Sequence, residues 1–161
     1  MKAFITAPFS SEALEALRNV LKDEVVYESW LDTNQVYFRA EDLVQKINNI
    51  DAEIFICEGD NVKEDVIKNV DLKIIGATRG DPNNIDVEIA TKKRIPVLFA
   101  PGRNTTAVAE MTIAMILALM RKLYKVNDIL HSEQFTVEDF TDYVKYYNLL
   151  KGHELEGKKV G

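Results

Sequence analysis

The chain has 161 residues, 47% of them apolar, which is enough to bury a core of the size found in single domains. Its 26 acidic and 20 basic side chains leave a formal charge of −6, so there is no electrostatic reason to expect nucleic acid or an anionic membrane as a partner. The one cysteine, Cys57, excludes an internal disulfide, and the opening Met1-Lys2-Ala3-Phe4-Ile5 lacks the long apolar stretch and cleavage pattern of a secretion signal, so a cytoplasmic setting is expected.

Phe4, Ile5 and Ala7 predict a short strand ended by Pro8. Ser10 or Ser11 suits the N-cap of a helix whose apolar residues Ala13, Leu14, Leu17, Val20 and Leu21 recur at helical spacing. Val25-Val26-Tyr27 reads as a second strand, and the mixed segment Trp30 to Phe38 as a loop. Glu41-Asp42 gives the next helix an acidic start, where the positive end of the helix dipole favours carboxylates, and Leu43, Val44 and Ile47 form its inner stripe.

Ile54-Phe55-Ile56-Cys57 is an unbroken apolar run, as expected of a strand covered on both faces. In that setting Cys57 reads as inert packing. A turn over Glu58 to Asn61 leads to a short helix over Val62 to Val70, then a strand at Lys73 to Ala77, a polar loop from Thr78 to Asn84, a helix from Asp86 to Lys93 and a last strand at Ile95 to Phe99. Strands separated by helices point to βαβ units, hence an α/β fold with a parallel sheet and helices on both faces. Glu58-Gly59, Arg79-Gly80 and Gly102 then fall at the carboxyl ends of strands, the edge where open parallel sheets hold ligands.

The stretch Ala107 to Met120 carries a single charge, Glu110. Asn104, Thr105 or Thr106 can cap it, and Arg121-Lys122 lie late, near the negative end. It is too short for a membrane span. A helix apolar around most of its circumference needs cover on more than one side, so it is expected to work at an interface with another domain or a second copy, making a homodimer. Helical spacing continues through Leu123, Val126, Ile129 and Leu130. The aromatic, acidic segment Phe135, Phe140, Tyr143, Tyr146 and Tyr147 lacks a basic groove, which favours packing over base stacking. Lys158 to Val160 reads as the beginning of a strand, and the chain is expected to be the front portion of a two-domain enzyme.

Gly76-Ala77-Thr78-Arg79-Gly80-Asp81-Pro82-Asn83-Asn84-Ile85-Asp86, Pro101-Gly102-Arg103-Asn104 and Asn104-Thr105-Thr106-Ala107-Val108-Ala109-Glu110 together resemble the D-isomer-specific 2-hydroxyacid dehydrogenases, particularly the branch named after D-3-phosphoglycerate dehydrogenase. The closing Gly152-His153-Glu154-Leu155-Glu156-Gly157-Lys158-Lys159-Val160-Gly161 is similar to that family's lead-in to its cofactor domain. The resemblance implies a flavodoxin-like parallel sheet flanked by helices and followed by a long apolar linking helix. It also implies an NAD or NADP cofactor that exchanges hydride with a small 2-hydroxy or 2-keto acid. Residues 1–103 would be the substrate-side domain, 104–150 the linking helix with an interdomain or dimer segment, and 151–161 the start of the cofactor domain. The family's catalytic histidine, glutamate and arginine would all lie after Gly161, so none is assigned, and His131 and His153 are expected to be structural or solvent-facing.

By the same resemblance, Glu58-Gly59-Asp60-Asn61-Val62 occupies the position of the family's substrate-facing loop. The N–H groups of a glycine-containing turn can hold a carboxylate without a basic side chain. Glu58 and Asp60 would repel such an anion unless they point away or read hydroxyl groups, which argues against phosphoglycerate itself; the alternative is an ordinary strand-to-helix turn. Arg79 either attracts an acidic substrate or clamps the loop through Asp81 or Asp86, while the backbone at Gly80 forms a cleft wall. Asn104 is expected near the substrate, the alternative being an N-cap worth about 1 kcal/mol. The substrate-binding set is therefore Glu58, Gly59, Asp60, Arg79, Gly80 and Asn104, with no metal ligands. A stand-alone metabolite-binding module without enzymatic activity is the competing reading.

Overall fold

In the computed structural model, which describes residues 1–22, 24–132 and 135–161, five short strands form one parallel sheet in the order β2-β1-β3-β4-β5. The strands are β1 (Ala3–Ile5), β2 (Val25–Tyr27), β3 (Ile54–Cys57), β4 (Ile74–Ala77) and β5 (Val97–Phe99). They alternate with α1 (Ser11–Leu21), α2 (Trp30–Thr33), α3 (Ala40–Ile50), α4 (Glu64–Lys68) and α5 (Val87–Lys92). This is the flavodoxin-like order. There are two compact units, Met1–Arg103, which holds the sheet, and Asn104–Gly161.

β1 and β3 are the central pair, with Phe4 opposite Phe55 in the register and the two rings stacked 5.4 Å apart. Phe4, Phe55, Leu43, Ile47, Val66, Ile67 and Ile75 are all fully buried or nearly so. α3, α4 and α5 pack side by side in succession. Right-handed crossovers place α1, which leads the chain the other way across the sheet, on the opposite face.

Local signals account for most boundaries. Ser10 caps α1 by accepting from the Ala13 N–H, and Asp86 caps α5 by accepting from the Ile89 N–H. The apolar stripe expected on α1 is narrower than its spacing implies: Leu14 alone of that helix is buried, and Val20 is 77% exposed. The helix lies over the edge strand β2, whose own residues are half-buried, so there is little sheet for a broad stripe to cover. The segment from Trp30 is not all loop. Ser29 caps the single turn α2 by accepting from the Leu31 N–H, and Asn34 ends it in the left-handed conformation.

The second unit contains α6 (Thr105–Met120), α7 (Leu123–Leu130) and α8 (Phe140–Leu150). A single long linking helix through Leu130 is not found: α6 ends at Met120, and Lys122, with φ 53°, turns the chain before α7 begins. None of the residues of α6 is buried, and Val108, Met111, Ile113, Met115 and Leu119 are exposed. Asp139 caps α8 by accepting from the Thr141 and Asp142 N–H groups, and Tyr143 stacks on both Phe140 and Tyr147 along that helix. After α8 the chain returns to the end of α6, where the His153 N–H donates to the Met120 carbonyl at 2.9 Å. Lys158 to Val160 form no strand; a turn from Leu155 to Lys158 occupies that region. Among the described residues no helix is long and apolar enough to cross a membrane.

Candidate functional site

The strand order reverses between β1 and β3: from β1 the chain moves to β2 on one side, and from β3 to β4 on the other. Such a switch leaves a crevice at the carboxyl ends of the central strands, because the flanking connections diverge there. Thr6 follows β1, Glu58-Gly59-Asp60 follows β3, and Thr78-Arg79-Gly80 follows β4.

Asp60 is fully buried. Its Oδ2 accepts from the Thr6 hydroxyl at 2.6 Å and its Oδ1 from the Tyr37 N–H at 2.8 Å. The Asn84 amide nitrogen donates to the Asp60 carbonyl at 2.9 Å and lies 3.4 Å from the Cys57 sulfur. The expectation of Asp60 as a substrate contact is therefore not what its side chain shows: the carboxylate is turned inward and spent on protein donors, which removes one of the two charges that would repel an anion at this loop. The backbone is another matter. Asn61 and Val62 donate to the Tyr37 and Asn84 carbonyls, whereas the Gly59 and Asp60 N–H groups have no backbone partner among the described residues. A Cβ at Gly59 would stand 3.2 Å from Val36 Cγ1, so the turn is held closely from that side.

Glu58 is mostly covered, its side chain 18% exposed. Its Oε1 forms an ion pair with Arg103, its Oε2 accepts from the Trp30 indole N–H at 3.3 Å, and its carbonyl accepts from Arg79 Nη1 at 3.4 Å. Arg79 thus clamps the loop after β3 rather than Asp81 or Asp86; Asp86 is occupied capping α5. Gly80 backs onto the segment after β5, where an added Cβ would meet the Ala100 carbonyl and Gly102 nitrogen at 3.7 and 3.8 Å, and the Ala100 N–H donates to the Arg79 carbonyl. Gly102 itself has φ 78°, a backbone that glycine adopts without strain.

Burial first, and the nearby Asp60 carboxylate second, push the Cys57 thiol up to about 12. At neutral pH it carries no thiolate and is a packing residue. Asn104 stands in the second unit as the N-cap of α6. Its side chain makes no capping hydrogen bond, and only its carbonyl, accepting from the Val108 N–H, belongs to the helix ladder. His131 and His153 are both exposed. The site residues that spacing alone misses are Thr6, Trp30 and Arg103. Arg103 lies 45 positions from Glu58, and its one sequence signal is its place beside Gly102 at the end of β5.

The parallel sheet and the reversal between β1 and β3 define a flavodoxin-like α/β domain. Residues 3–152 match the family described as D-isomer specific 2-hydroxyacid dehydrogenase, catalytic domain, and the chain belongs to that family. A Bacillus subtilis protein named for the 2-hydroxyacid dehydrogenases is 36% identical over 162 residues, covering all of this chain and 45% of the relative. The D-3-phosphoglycerate dehydrogenase of Methanocaldococcus jannaschii is 31% identical over 162 residues, again covering all of this chain but 27% of the relative. The chain thus spans less than half the length of either. Among solved structures, the TT0316 protein of Thermus thermophilus superposes with a TM-score of 0.76 at 23% identity, over 98% of this chain and 46% of that one. The D-lactate dehydrogenase of Aquifex aeolicus, solved with NAD and lactic acid, gives a TM-score of 0.66 at 22% identity, over 96% of this chain and 41% of that one.

Proposed function

We propose that this chain is the substrate-side part of an NAD(P)-dependent oxidoreductase that interconverts a D-2-hydroxy acid and its 2-keto acid by hydride transfer. On this reading it binds the acid but does not carry out the transfer alone. The observation that carries the reading is the half-buried Gly59 N–H, without a backbone partner among the described residues, on a loop at the carboxyl end of β3 that buried hydrogen bonds hold in place. An N–H donor in a glycine-containing turn suits a carboxylate, and a loop already ordered loses little further entropy when it binds.

Each neighbouring residue has a distinct part. The Asp60 carboxylate ties the loop to Thr6 and Tyr37 and so orients that donor. Arg79 braces the loop through the Glu58 carbonyl and contributes a positive charge that favours an acid. Glu58, Trp30 and Arg103 form the rim.

NAD appears with the Aquifex aeolicus relative. The residues present here do not fit a dinucleotide. The turn after β1 reads Pro8-Phe9-Ser10-Ser11, and the seven glycines include no Gly-x-Gly pair to admit a pyrophosphate. Cofactor chemistry is therefore not assigned to any residue of this chain. The exposed apolar residues of α6 support a homodimer, and a buried, unpaired thiol at Cys57 suits a cytoplasmic setting.

Calorimetric titration with D-lactate, D-glycerate and glyoxylate, alongside an assay of nicotinamide absorbance, tests the proposal. Saturable binding of at least one acid with no NAD(P)-dependent turnover is expected. Failure of all three acids to bind, or turnover by the chain itself, would contradict it.

A further inference from the structure

Three charged side chains frame the Gly59 loop, and the way they are paired bears on which acids it can accept. Arg103 spends its guanidinium on Glu58 Oε1, and the other Glu58 oxygen is taken by the Trp30 indole. Arg79 makes no ion pair among the described residues, but donates to the Glu58 carbonyl. Lys63, the next cation along the loop, donates to the Asn83 carbonyl at 2.8 Å. Glu58 and the buried Asp60 carboxylate balance Arg79 and Arg103, so these four side chains cancel, and the Lys63 charge, held at the Asn83 carbonyl, is the excess.

We propose that Glu58 is a specificity-determining residue that restricts the site to 2-hydroxy and 2-keto acids with uncharged tails and turns away those with a phosphorylated tail. This inference rests on the proposed function, in which the acid's carboxylate sits at the Gly59 N–H. An acid held there leaves its tail a few bond lengths from Glu58. One added carboxylate is matched by Arg79. A phosphate adds roughly −1.5 to −2 at neutral pH, and phosphate recognition ordinarily uses a guanidinium free to make paired hydrogen bonds. Arg103 is the side chain placed to serve, and Glu58 already holds it. Glu58 would also repel the phosphate directly. A cationic tail gains nothing either, because both Glu58 oxygens are already engaged.

The test is the ratio of affinities for D-glycerate and D-3-phosphoglycerate, read from amide shifts of the protein on titration. Without substitution, D-glycerate is expected to bind at least ~10-fold more tightly. Glu58→Gln keeps an acceptor for the Trp30 indole but releases Arg103, and should move the ratio at least ~10-fold toward the phosphorylated acid. Arg103→Met leaves Glu58 without its ion pair and should move the ratio the opposite way. Adding Arg103→Met to Glu58→Gln should abolish the gain.

If neither acid perturbs the amide spectrum, the proposed function fails and this inference with it. If D-glycerate binds but D-3-phosphoglycerate binds as well or better, the inference alone fails. It fails likewise if neither single substitution shifts the ratio in its stated direction. Should Glu58→Gln not fold, the shift produced by Arg103→Met decides the matter by itself.

Discussion

The Thr6 hydroxyl donates to the carboxylate of Asp60 at 2.6 Å, fastening the end of β1 to the loop after β3 across the reversal in strand order. The residues are 54 positions apart, and the bond is buried. Tyr37 N–H supplies the second donor, so one carboxylate holds three segments of the first unit at the place where its ligand is proposed to sit.

Replacing Asp60 with Ala strands the Tyr37 N–H in the interior and leaves the Thr6 hydroxyl only the Ile56 carbonyl at 3.4 Å. Hydrogen bonds to a buried charge and the desolvation of abandoned donors together set the expected loss at about 2–4 kcal/mol. Urea unfolding of wild type and variant measures it. A loss below about 1 kcal/mol would mean that the carboxylate does not organise the loop.

Cys57 makes a prediction at alkaline pH. Burial raises the thiol from its ordinary 9.0 to about 12 in the folded protein, so the folded state keeps its proton where the unfolded state begins to lose it. The contribution to stability is complete below pH 9 and falls away as pH rises toward 12. The stability difference between wild type and Cys57→Ala should therefore shrink steadily over that window. A difference independent of pH would contradict the burial. At neutral pH, thiol reagents should react only as fast as the fold opens.

Gly152 is required by space. A Cβ there would collide with the Met120 carbonyl and stand 2.7 Å from the Arg121 Cα, both backbone atoms that cannot swing aside. Gly152→Ala should cost about 1–3 kcal/mol and expose the His153 N–H to hydrogen exchange. Unchanged protection of that amide would count against the close return of the backbone to α6.

The exposed α6 residues predict self-association. Light scattering across a concentration series should show the mass rising toward a dimer, and Met111→Glu should suppress the rise. A strictly monomeric wild type at every concentration would remove the case for a homodimer.

The sheet was legible because its strands are continuous apolar runs. Ile54 to Cys57 admits few readings other than a strand covered on both faces, and the alternation of such runs with helices implies parallel pairing. Less visible was where helices stop. Lys122 breaks the run after α6 in a left-handed conformation without the glycine that usually marks such a turn, so helical spacing ran on through it to Leu130.

The loop after β3 was legible as a place, from Gly59 between strand and helix, but not as a structure. Asp60 in a polar turn reads as solvent-facing, and only folding brings Thr6 and Tyr37 to it. Glu58 reads as an unpaired charge because its partners, Trp30 and Arg103, lie 28 and 45 positions away. No local pattern encodes a pairing of that range.

The most direct measurement is the position of the Gly59 amide proton resonance as D-glycerate is added to saturation. A carboxylate accepting from that group should draw its resonance downfield along a saturating curve, ahead of any other amide in Met1–Arg103. Saturable binding that leaves this resonance unmoved while shifting others would show that the acid is held by other atoms, and the loop's role would have to be given up.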